Sequence, residues 1–336
     1  MGYRFGIYGC QHSHIEVFID QMLALGGTCA GIYENDSPSL AKQIAQRRGI
    51  PFLDDPERLA DETVTVIGSS AVNNRKMDII EWCERRGKHI MVDKPVATNR
   101  GQLERLEAVL SRGTIQVGVL LTERFRAAIH TLKQAIDAGK LGRIVSITTR
   151  KPHRLSPASR HPSHFSKEES GGVLIDLFIH DFDLLRYLTG QEVTAVHSQA
   201  AKHVLPEHPA FFDTATAQVM MSGGTLGQLY ADWHTPTASW TWGDCRLFVA
   251  GTEGCAELRL NGDPSVAKEE LYFQITNDDP FTKVELNQPE VNITEDFIRR
   301  MEGKPGVLAH RDIVETIRAT VLADERALVY NAFERE

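Results

Sequence analysis

The sequence has few cysteines, no surplus of positive charge and no apolar run long enough to cross a membrane. Its five cysteines are an odd number, lie far apart and form no Cys-x-x-Cys pair, which is typical of reduced thiols rather than of a disulfide framework or a zinc site. The formal net charge of −8 and the lack of a basic cluster argue against nucleic acid or an anionic membrane as a partner. The first strand pattern begins by Tyr3, so we expect no signal peptide and a cytoplasmic location.

Short apolar runs alternate with helical patterns over the first third of the chain. The strand patterns occupy residues 3–9, 28–34, 64–70, 88–95 and 115–121. Strands that are apolar on both faces and separated by helices are typical of a parallel, doubly wound sheet with right-handed crossovers. We therefore predict an α/β fold whose first domain, residues 1–122, is a Rossmann-like nucleotide-binding domain.

The pattern changes after residue 122. Strand-like runs then follow one another with few helices between them, and the pair Gly223-Gly224 is typical of a hairpin turn. One apolar helix interrupts them at residues 172–189, with Gly190 as its stop. These features predict a second α/β domain over residues 123–336, built on an open, mainly antiparallel sheet.

The turn after the first strand reads GCQHSH, residues 9–14. A dinucleotide-binding turn uses three glycines so that the backbone can approach the pyrophosphate at a helix N-terminus. Here only Gly9 is retained, and Gln11 and His14 occupy the other two positions. Either Gln11 and His12 donate hydrogen bonds to a phosphate in place of the backbone, or His14 simply packs where the third glycine would lie.

The two histidines of this turn also raise the question of a metal ion. His12 and His14 are both potential ligands, but no third ligand is nearby in the sequence. We therefore expect no metal at this turn.

Glu34 ends the second strand pattern about 25 residues beyond Gly9. This spacing is close to that of the acid that binds the ribose 2′-hydroxyl in dinucleotide folds. An acid there repels a 2′-phosphate and so favours NAD over NADP. The alternative is a polar residue that merely ends a strand.

The segment GKHIMVDKP, residues 87–95, is a buried strand pattern that ends in Asp93, Lys94 and Pro95. Ligands of parallel sheets bind at the carboxyl ends of the strands. Lys94 is therefore a candidate for ligand contact, although a lysine after a strand is also a common surface feature.

The segment SGGVLIDLFIHDFDLLRYLTG, residues 170–190, places Asp176 and His180 four residues apart on one helix face. Most neighbouring positions are apolar, which predicts a largely buried helix on which a carboxylate and an imidazole are not merely solvated. Such a pair suits general acid–base catalysis, because the carboxylate can orient the ring or bind a substrate hydroxyl. The alternative is a hydrogen bond on the helix surface that has no function.

Together these segments resemble the Gfo/Idh/MocA oxidoreductase family, the group of glucose–fructose oxidoreductase and inositol dehydrogenase. GKHIMVDKP is similar to the family's Gly-Lys-His-…-Glu-Lys-Pro motif, and GGVLIDLFIHDFDLLRYLTG is similar to its Gly-Gly-…-Asp-x-x-x-His-…-Asp signature. GTEGCAEL, residues 251–258, resembles a strand-turn of the family's second domain. The resemblance covers essentially the whole chain.

The resemblance implies an NAD-dependent oxidoreductase that transfers hydride between nicotinamide and a secondary hydroxyl or keto group of a sugar-like or polyol substrate. It implies Lys94 beside the reacting carbon, His180 as the proton acceptor and Asp176 as a substrate ligand. NADP is the less favoured cofactor. The implied cofactor-binding residues are Gly9, Gln11, His12, Glu34, Ser69, Lys94 and Pro95.

The chain departs from the family pattern mainly on the cofactor side. The glycine-rich turn is nearly lost, Asp93 replaces the glutamate of Glu-Lys-Pro, and Asn74 stands where the Thr-Pro-Asn-x-x-His loop has its histidine. The motif on the helix at residues 172–189 is nearly intact. This combination favours retained chemistry with altered cofactor handling, since an inactive scaffold needs no buried Asp and His.

Substrate contacts are predicted in the basic, histidine-rich segment at residues 150–169, unless this segment is a solvated loop. Its candidates for binding an anionic or polyhydroxylated substrate are His153, Arg154, Arg160, His161 and His164, with Arg154 and His164 favoured. The three tryptophans at residues 233–242 suit either sugar stacking or a subunit interface. We favour the interface, and with it a homodimer or homotetramer formed through the C-terminal sheet.

Two other classes of protein fit the same sequence less well. A catalytically silent sensor could bind a nucleotide or a sugar on this scaffold, and turnover would distinguish it from an enzyme. A metal-dependent lyase or hydrolase could use Asp176, His180 and His164 around a divalent ion, but Lys94 would repel that ion.

Overall fold

The computed structural model describes residues 2–334, which divide into two compact units. The first unit runs to Leu121 and also includes Glu168–Gly171 and Val291–Ile317, and the remaining residues form the second unit. The elements up to the end of the first sheet are β1 (Arg4–Cys10), α1 (Ile15–Ala24), β2 (Thr28–Tyr33), α2 (Ser39–Arg48), β3 (Phe52–Leu53), β4 (Val66–Ser70), α3 (Lys76–Glu84), β5 (His89–Val92), α4 (Arg100–Arg112) and β6 (Val117–Val119). Those that follow are α5 (Ala127–Asp137), β7 (Ile144–Pro152), α6 (Lys167–Ser170), α7 (Gly172–Thr189), β8 (Val193–Lys202), β9 (Thr214–Met221), β10 (Leu226–Asp232), β11 (Arg246–Gly251), β12 (Gly254–Arg259), β13 (Leu271–Thr276), β14 (Thr282–Lys283), α8 (Ile293–Met301), α9 (His310–Glu325) and β15 (Leu328–Asn331).

The first unit is built on six parallel strands in the order β3-β2-β1-β4-β5-β6. This is the strand order of the doubly wound Rossmann fold, in which ligands bind outside the carboxyl ends of the strands where the order reverses. The reversal lies between β1 and β4. β4 is buried at all five positions, which explains why its sequence shows no alternation of apolar and polar residues. The predicted parallel sheet is confirmed.

The second unit is built on nine strands in the order β14-β13-β12-β11-β7-β10-β9-β8-β15. Neighbouring strands are antiparallel except for the pairs β7–β10 and β8–β15. One face packs against α7, whose Phe178 and Phe182 are fully buried in the same core as Leu247 of β11. The predicted open, mainly antiparallel sheet is confirmed, and so is the α/β fold class. Among the described residues, no helix is both long and apolar enough to span a membrane.

We expected all residues after 122 to form the second domain, but the C-terminal helical region is split between the two units. Residues 291–317, which contain α8, belong to the first unit rather than to the second. Phe297 of α8 is fully buried and packs so closely on β6 that a Cβ at Gly118 would lie 2.8 Å from its ring. Arg300 Nη1 donates to the carbonyl of Val117 at 3.3 Å, so a side chain of α8 also binds the backbone of the edge strand β6.

The imidazole of His310, at the start of α9, accepts a hydrogen bond from the Val117 N–H at 3.1 Å, which only the neutral ring can do. Burial and the neighbouring Arg300 lower the pKa of His310 to about 4. The pKa of a histidine in the unfolded chain is about 6.5, so the unfolded chain binds more protons than the folded one between about pH 4 and this value. Stability should therefore fall as the pH falls through this range.

The unfolding free energy, measured by urea denaturation, should fall between pH 7 and pH 4 for the wild type. We expect His310→Gln to reduce this fall by at most about 3 kcal/mol. His197→Gln, at an exposed position on β8, is the matched control and should keep the wild-type slope. An equally steep curve for His310→Gln would contradict this assignment.

Candidate active site

The first glycine of the expected turn, Gly9, lies near the end of β1 and is retained for a steric reason. Gly9 has a φ of +83°, and a Cβ at this position would lie 2.5 Å from the Cβ of Ala71. The end of β1 thus approaches the loop after β4 too closely for any side chain.

Two amides of this turn, those of Gln11 and His12, are already bonded within the protein. The N–H of Gln11 donates to the carbonyl of Ser70 at 2.9 Å, and the N–H of His12 lies 3.3 Å from the Ser70 hydroxyl. A glycine-rich turn would offer such amides to a pyrophosphate, so this turn must bind phosphate differently. Among the described residues, the buried Nε2 of Gln11 has no hydrogen-bond partner, and a phosphate or ribose oxygen would provide one. In this respect the site fits a dinucleotide.

Glu34 closes the same turn from the end of β2. Its Oε2 accepts from the N–H of Cys10 at 2.8 Å, and its Oε1 accepts from the N–H of Asp36 at 2.8 Å. The residue is 6% exposed. Each carboxylate oxygen retains a second lone pair, so binding a ribose hydroxyl is compatible with this structural role.

His12 and His14 both face Asp93, which follows β5. His12 Nδ1 lies 3.3 Å from Asp93 Oδ2, and His14 Nδ1 lies 3.2 Å from Asp93 Oδ1. Burial opposes ionisation of Asp93, but the charge of His14 and the hydrogen bonds from both rings outweigh it and hold its pKa well below the usual value. For His12 burial prevails over the carboxylate and lowers the pKa. The turn is therefore tied to β5 through side chains rather than through close backbone packing.

The structure supplies the third potential metal ligand that the sequence did not show. The ligand atoms of His12, His14 and Asp93 all lie within 4.8 Å of one another. The positive charges of Lys94, which acts on His12, and of Lys76, which acts on Asp93, both oppose a cation here. A second group with this geometry, in the other unit, consists of His203, Asp213 and His234. The absence of a metal stays a prediction.

Lys76, the first residue of α3, was not predicted as part of the site. It is 1% exposed, and its Nζ donates to the carbonyls of Asp93 at 2.8 Å, Lys94 at 3.3 Å and Pro95 at 3.0 Å. It also donates to Asn73 Oδ1 at 2.8 Å. A buried ammonium group thus fixes the backbone that carries Lys94. The only sign of this role in the sequence is a lysine at the start of an amphipathic helix. A lysine on the solvated face of such a helix gives the same pattern.

The remaining predicted residues of the first unit lie at the same edge of the sheet. Ser69 is fully buried near the end of β4, and its carbonyl accepts from the N–H of Asp93 at 2.8 Å. Lys94 is 9% exposed. The carboxyl ends of β1, β2, β4 and β5 therefore bring together all the residues that we expected on the cofactor side, namely Gly9, Gln11, His12, Glu34, Ser69, Lys94 and Pro95.

In the second unit, α7 is buried over most of its length. Between Val173 and Arg186 every residue is buried except Asp176 and His180, which are partly exposed. Their spacing of one turn places both on a single accessible face. Asp183, which lies one turn beyond His180 on the same helix, is fully buried, and Arg124 Nη2 donates to it at 2.7 Å. Asp183 is thus a structural residue, and the pair Asp176–His180 is the part of the motif that a substrate can reach.

A buried cluster of charges lies under this helix. Lys151 Nζ is 3.4 Å from Glu123 Oε2 and 3.6 Å from Asp181 Oδ1. Burial raises the pKa of Asp181 to about 6. Burial also opposes ionisation of Glu123, but the charges of Lys151, Arg126 and His180 lower its pKa to about 2. The negative charge of Glu123 is therefore close enough to act on His180, a coupling that the sequence did not show.

The basic segment before α7 is ordered by aromatic and carbonyl contacts. Arg154 Nη2 donates to the carbonyls of the loop at residues 236–241, the shortest being 3.1 Å to Ser239. The ring of His164 meets that of Trp233 edge-on at 4.9 Å between centroids. Arg160 Cζ lies 4.7 Å from the Trp233 ring, and the charge of Asp176 acts on this guanidinium. The segment is thus a built surface near Asp176.

Comparisons with known proteins agree over the whole fold. Residues 3–120 match an oxidoreductase family with an NAD-binding Rossmann fold, and residues 129–257 match the GFO/IDH/MocA C-terminal domain. A crystal structure of a protein from Erwinia carotovora atroseptica SCRI1043 is similar with a TM-score of 0.89 at 26% identity, covering 97% of this chain and 99% of that one.

Two curated relatives are dehydrogenases by name. Scyllo-inositol 2-dehydrogenase (NAD(+)) of Bacillus subtilis strain 168 is 31% identical over 220 residues, which are 64% of this chain and 61% of the relative. Myo-inositol 2-dehydrogenase of Thermotoga maritima is 26% identical over 193 residues, which are 55% of each chain. The matched segments thus span less than two thirds of the relatives' own length.

Lys76→Met should destabilise the first unit, because it leaves up to four acceptors without their donor. We expect the free energy of unfolding to fall by about 2–4 kcal/mol in urea denaturation. Lys42→Met, at an exposed position on α2, is the matched control and should change stability little. A loss for Lys76→Met no larger than that of the control would show that Lys76 does not hold this segment.

Proposed function

The chain belongs to the Gfo/Idh/MocA oxidoreductase family, as its motifs predicted, and we propose that it is an NAD-dependent oxidoreductase acting on a secondary hydroxyl or keto group of a sugar-like or polyol substrate. The observation that carries this proposal is the accessible face of α7, which consists of Asp176 and His180 on an otherwise buried stretch. The two inositol dehydrogenases named above support a polyol as the substrate class.

NAD would supply the hydride acceptor. We assign its binding to the residues at the carboxyl edge of the first sheet, where the Gln11 amide replaces part of the contact that glycines normally provide. Glu34 would accept from a ribose hydroxyl, and its negative charge would repel the 2′-phosphate of NADP. His12 would donate to a phosphate while it is held by Asp93.

The protein's part in the reaction is proton transfer and charge stabilisation. His180 would accept the proton of the substrate hydroxyl, and Asp176 would bind a second hydroxyl and orient the substrate. Lys94 would stabilise the negative charge that develops on the substrate oxygen as hydride leaves. The carboxylate of Glu123, whose charge couples to that of His180, would stabilise the imidazolium that forms. Run backwards, the same residues would protonate a ketone.

A homodimer or homotetramer is the assembly that we propose, formed through the second sheet. This sheet packs one face on α7 and leaves large apolar side chains exposed, among them Met220, Leu226 and Phe248. A second copy would cover such a surface.

All five cysteines are unpaired, which supports a cytoplasmic location.

Turnover and binding together test the proposed function. We expect the wild-type protein to reduce NAD with at least one member of a panel of inositols, aldoses, sugar acids and sugar phosphates, and His180→Asn to lower kcat by about 10²- to 10⁴-fold while NADH binding persists. Lys94→Met should act in the same direction. EDTA in the assay should leave the rate unchanged.

His197→Asn is the matched control and should retain wild-type turnover, since this histidine is exposed on β8. Binding of NADH without turnover of any panel member would favour the silent sensor. Equal turnover by His180→Asn and by the wild type would refute the role given to His180.

A further inference from the structure

Two arginines of the basic segment meet at one tryptophan. The Cζ atoms of Arg154 and Arg160 lie 5.7 Å and 5.4 Å from the ring centroid of Trp242. Arg160 is also 4.7 Å from the ring of Trp233, so its guanidinium contacts two indole faces. Two like charges at one aromatic ring repel each other unless a negative charge compensates them.

The hydrogen bonds that both arginines make within the described chain go to neutral groups. Arg160 Nε donates to the carbonyl of Leu155 at 3.0 Å, and its Nη2 donates to that of Arg154 at 3.2 Å. Arg154 Nη2 donates to three carbonyls between Pro236 and Thr241. Neither guanidinium forms an ion pair with another described residue. Their charges are therefore solvated by dipoles and π faces but are not neutralised.

One donor of this pair lacks any acceptor. Arg154 Nε is buried and has no hydrogen-bond partner among residues 2–334. Arg160 makes no described hydrogen bond through Nη1. Guanidinium N–H groups without an acceptor, next to apolar indole rings, can bind planar or tetrahedral oxyanions. The paired N–H groups of a guanidinium match the spacing of two oxyanion oxygens, and the indole rings exclude water and so strengthen the electrostatic attraction.

Arg160 also lies near the carboxylate of Asp176, which we propose as a substrate ligand. Burial lowers the pKa of Arg160, and the charge of Asp176 opposes this shift, which places the guanidinium within electrostatic range of that carboxylate. A ligand whose hydroxyl binds Asp176 would thus bring its other end to the two arginines. Asp176 itself cannot neutralise both charges.

We propose that Arg154 and Arg160, against Trp242, form a subsite for an oxyanionic group, and that the substrate is a sugar or polyol bearing a carboxylate or a phosphate. This inference rests on the proposed function for the identity of the reacting end, but the anion subsite is defined by the second unit alone. It separates this chain from relatives whose names denote uncharged inositols.

Isothermal titration of the whole protein, with and without NADH, tests the subsite. The probes are D-glucuronate, D-gluconate and D-glucose 6-phosphate, compared with uncharged D-glucose. We expect at least one anionic probe to bind at least about tenfold more tightly than glucose, and we expect added salt to weaken its binding. A preference for glucuronate or gluconate would identify a carboxylate, and a preference for the phosphate ester would identify a phosphate. If no anionic probe binds more tightly than glucose, the proposal is overturned.

Arg160→Gln should abolish the preference for the anion, and Arg160→Lys, which keeps the charge but loses the fork, should retain part of it. Arg143→Gln, at an exposed position on the same unit, should leave the preference intact. The subsite would be refuted if Arg160→Gln lost glucose binding and anion binding equally and Arg160→Lys also bound both ligands more weakly than the wild type. Arg160 would then only shape the loop.

The two proposals fail in different ways. Tight anion binding without any NAD reduction would refute the oxidoreductase and leave the subsite standing. Oxidation of uncharged inositols with no anion preference would refute the subsite and leave the oxidoreductase standing.

Discussion

A single buried ammonium group holds the end of β5 in place, and the cofactor side of the first unit depends on it. Lys76 Nζ donates to three consecutive carbonyls, those of Asp93, Lys94 and Pro95. With its backbone fixed, Asp93 can present its carboxylate to the histidines of the turn after β1. Burying a charge is costly unless it is fully hydrogen-bonded, which explains why this lysine has four acceptors rather than one.

The same constraint accounts for the unusual turn. Where related dinucleotide folds bring helix and strand together through glycines, this chain uses side chains: Glu34 and Ser70 bind the backbone of the turn, and Asp93 binds its histidines. The amides so occupied are lost to a phosphate, and the side-chain amide of Gln11, which has no partner among the described residues, is a donor that can replace one of them. In the second unit, Lys151 plays a comparable part, since its positive charge favours ionisation of two buried carboxylates, Asp181 of α7 and Glu123. Both sites thus depend on buried lysines.

Local patterns could be predicted from the sequence, and long-range charge pairs could not. The parallel sheet follows from strands that are apolar on both faces and alternate with helical patterns. The placement of Asp176 and His180 on one face follows from the helical period of 3.6 residues. The contact of His14 with Asp93 joins residues far apart in the chain, and nothing periodic indicates it. For the same reason the sequence did not indicate that α8 packs with the first sheet: the amphipathic pattern of a helix tells which face is buried but not against which sheet.

In the proposed function, a turn that keeps only the first of three glycines still binds NAD. Fluorescence titration of purified, cofactor-free protein with NADH and with NADPH tests it most directly. The account predicts that NADH binds and that NADPH binds at least about tenfold more weakly, with Glu34→Gln reducing the difference. If folded protein binds neither nucleotide, or binds NADPH more tightly, the roles given to the turn and to Glu34 are contradicted.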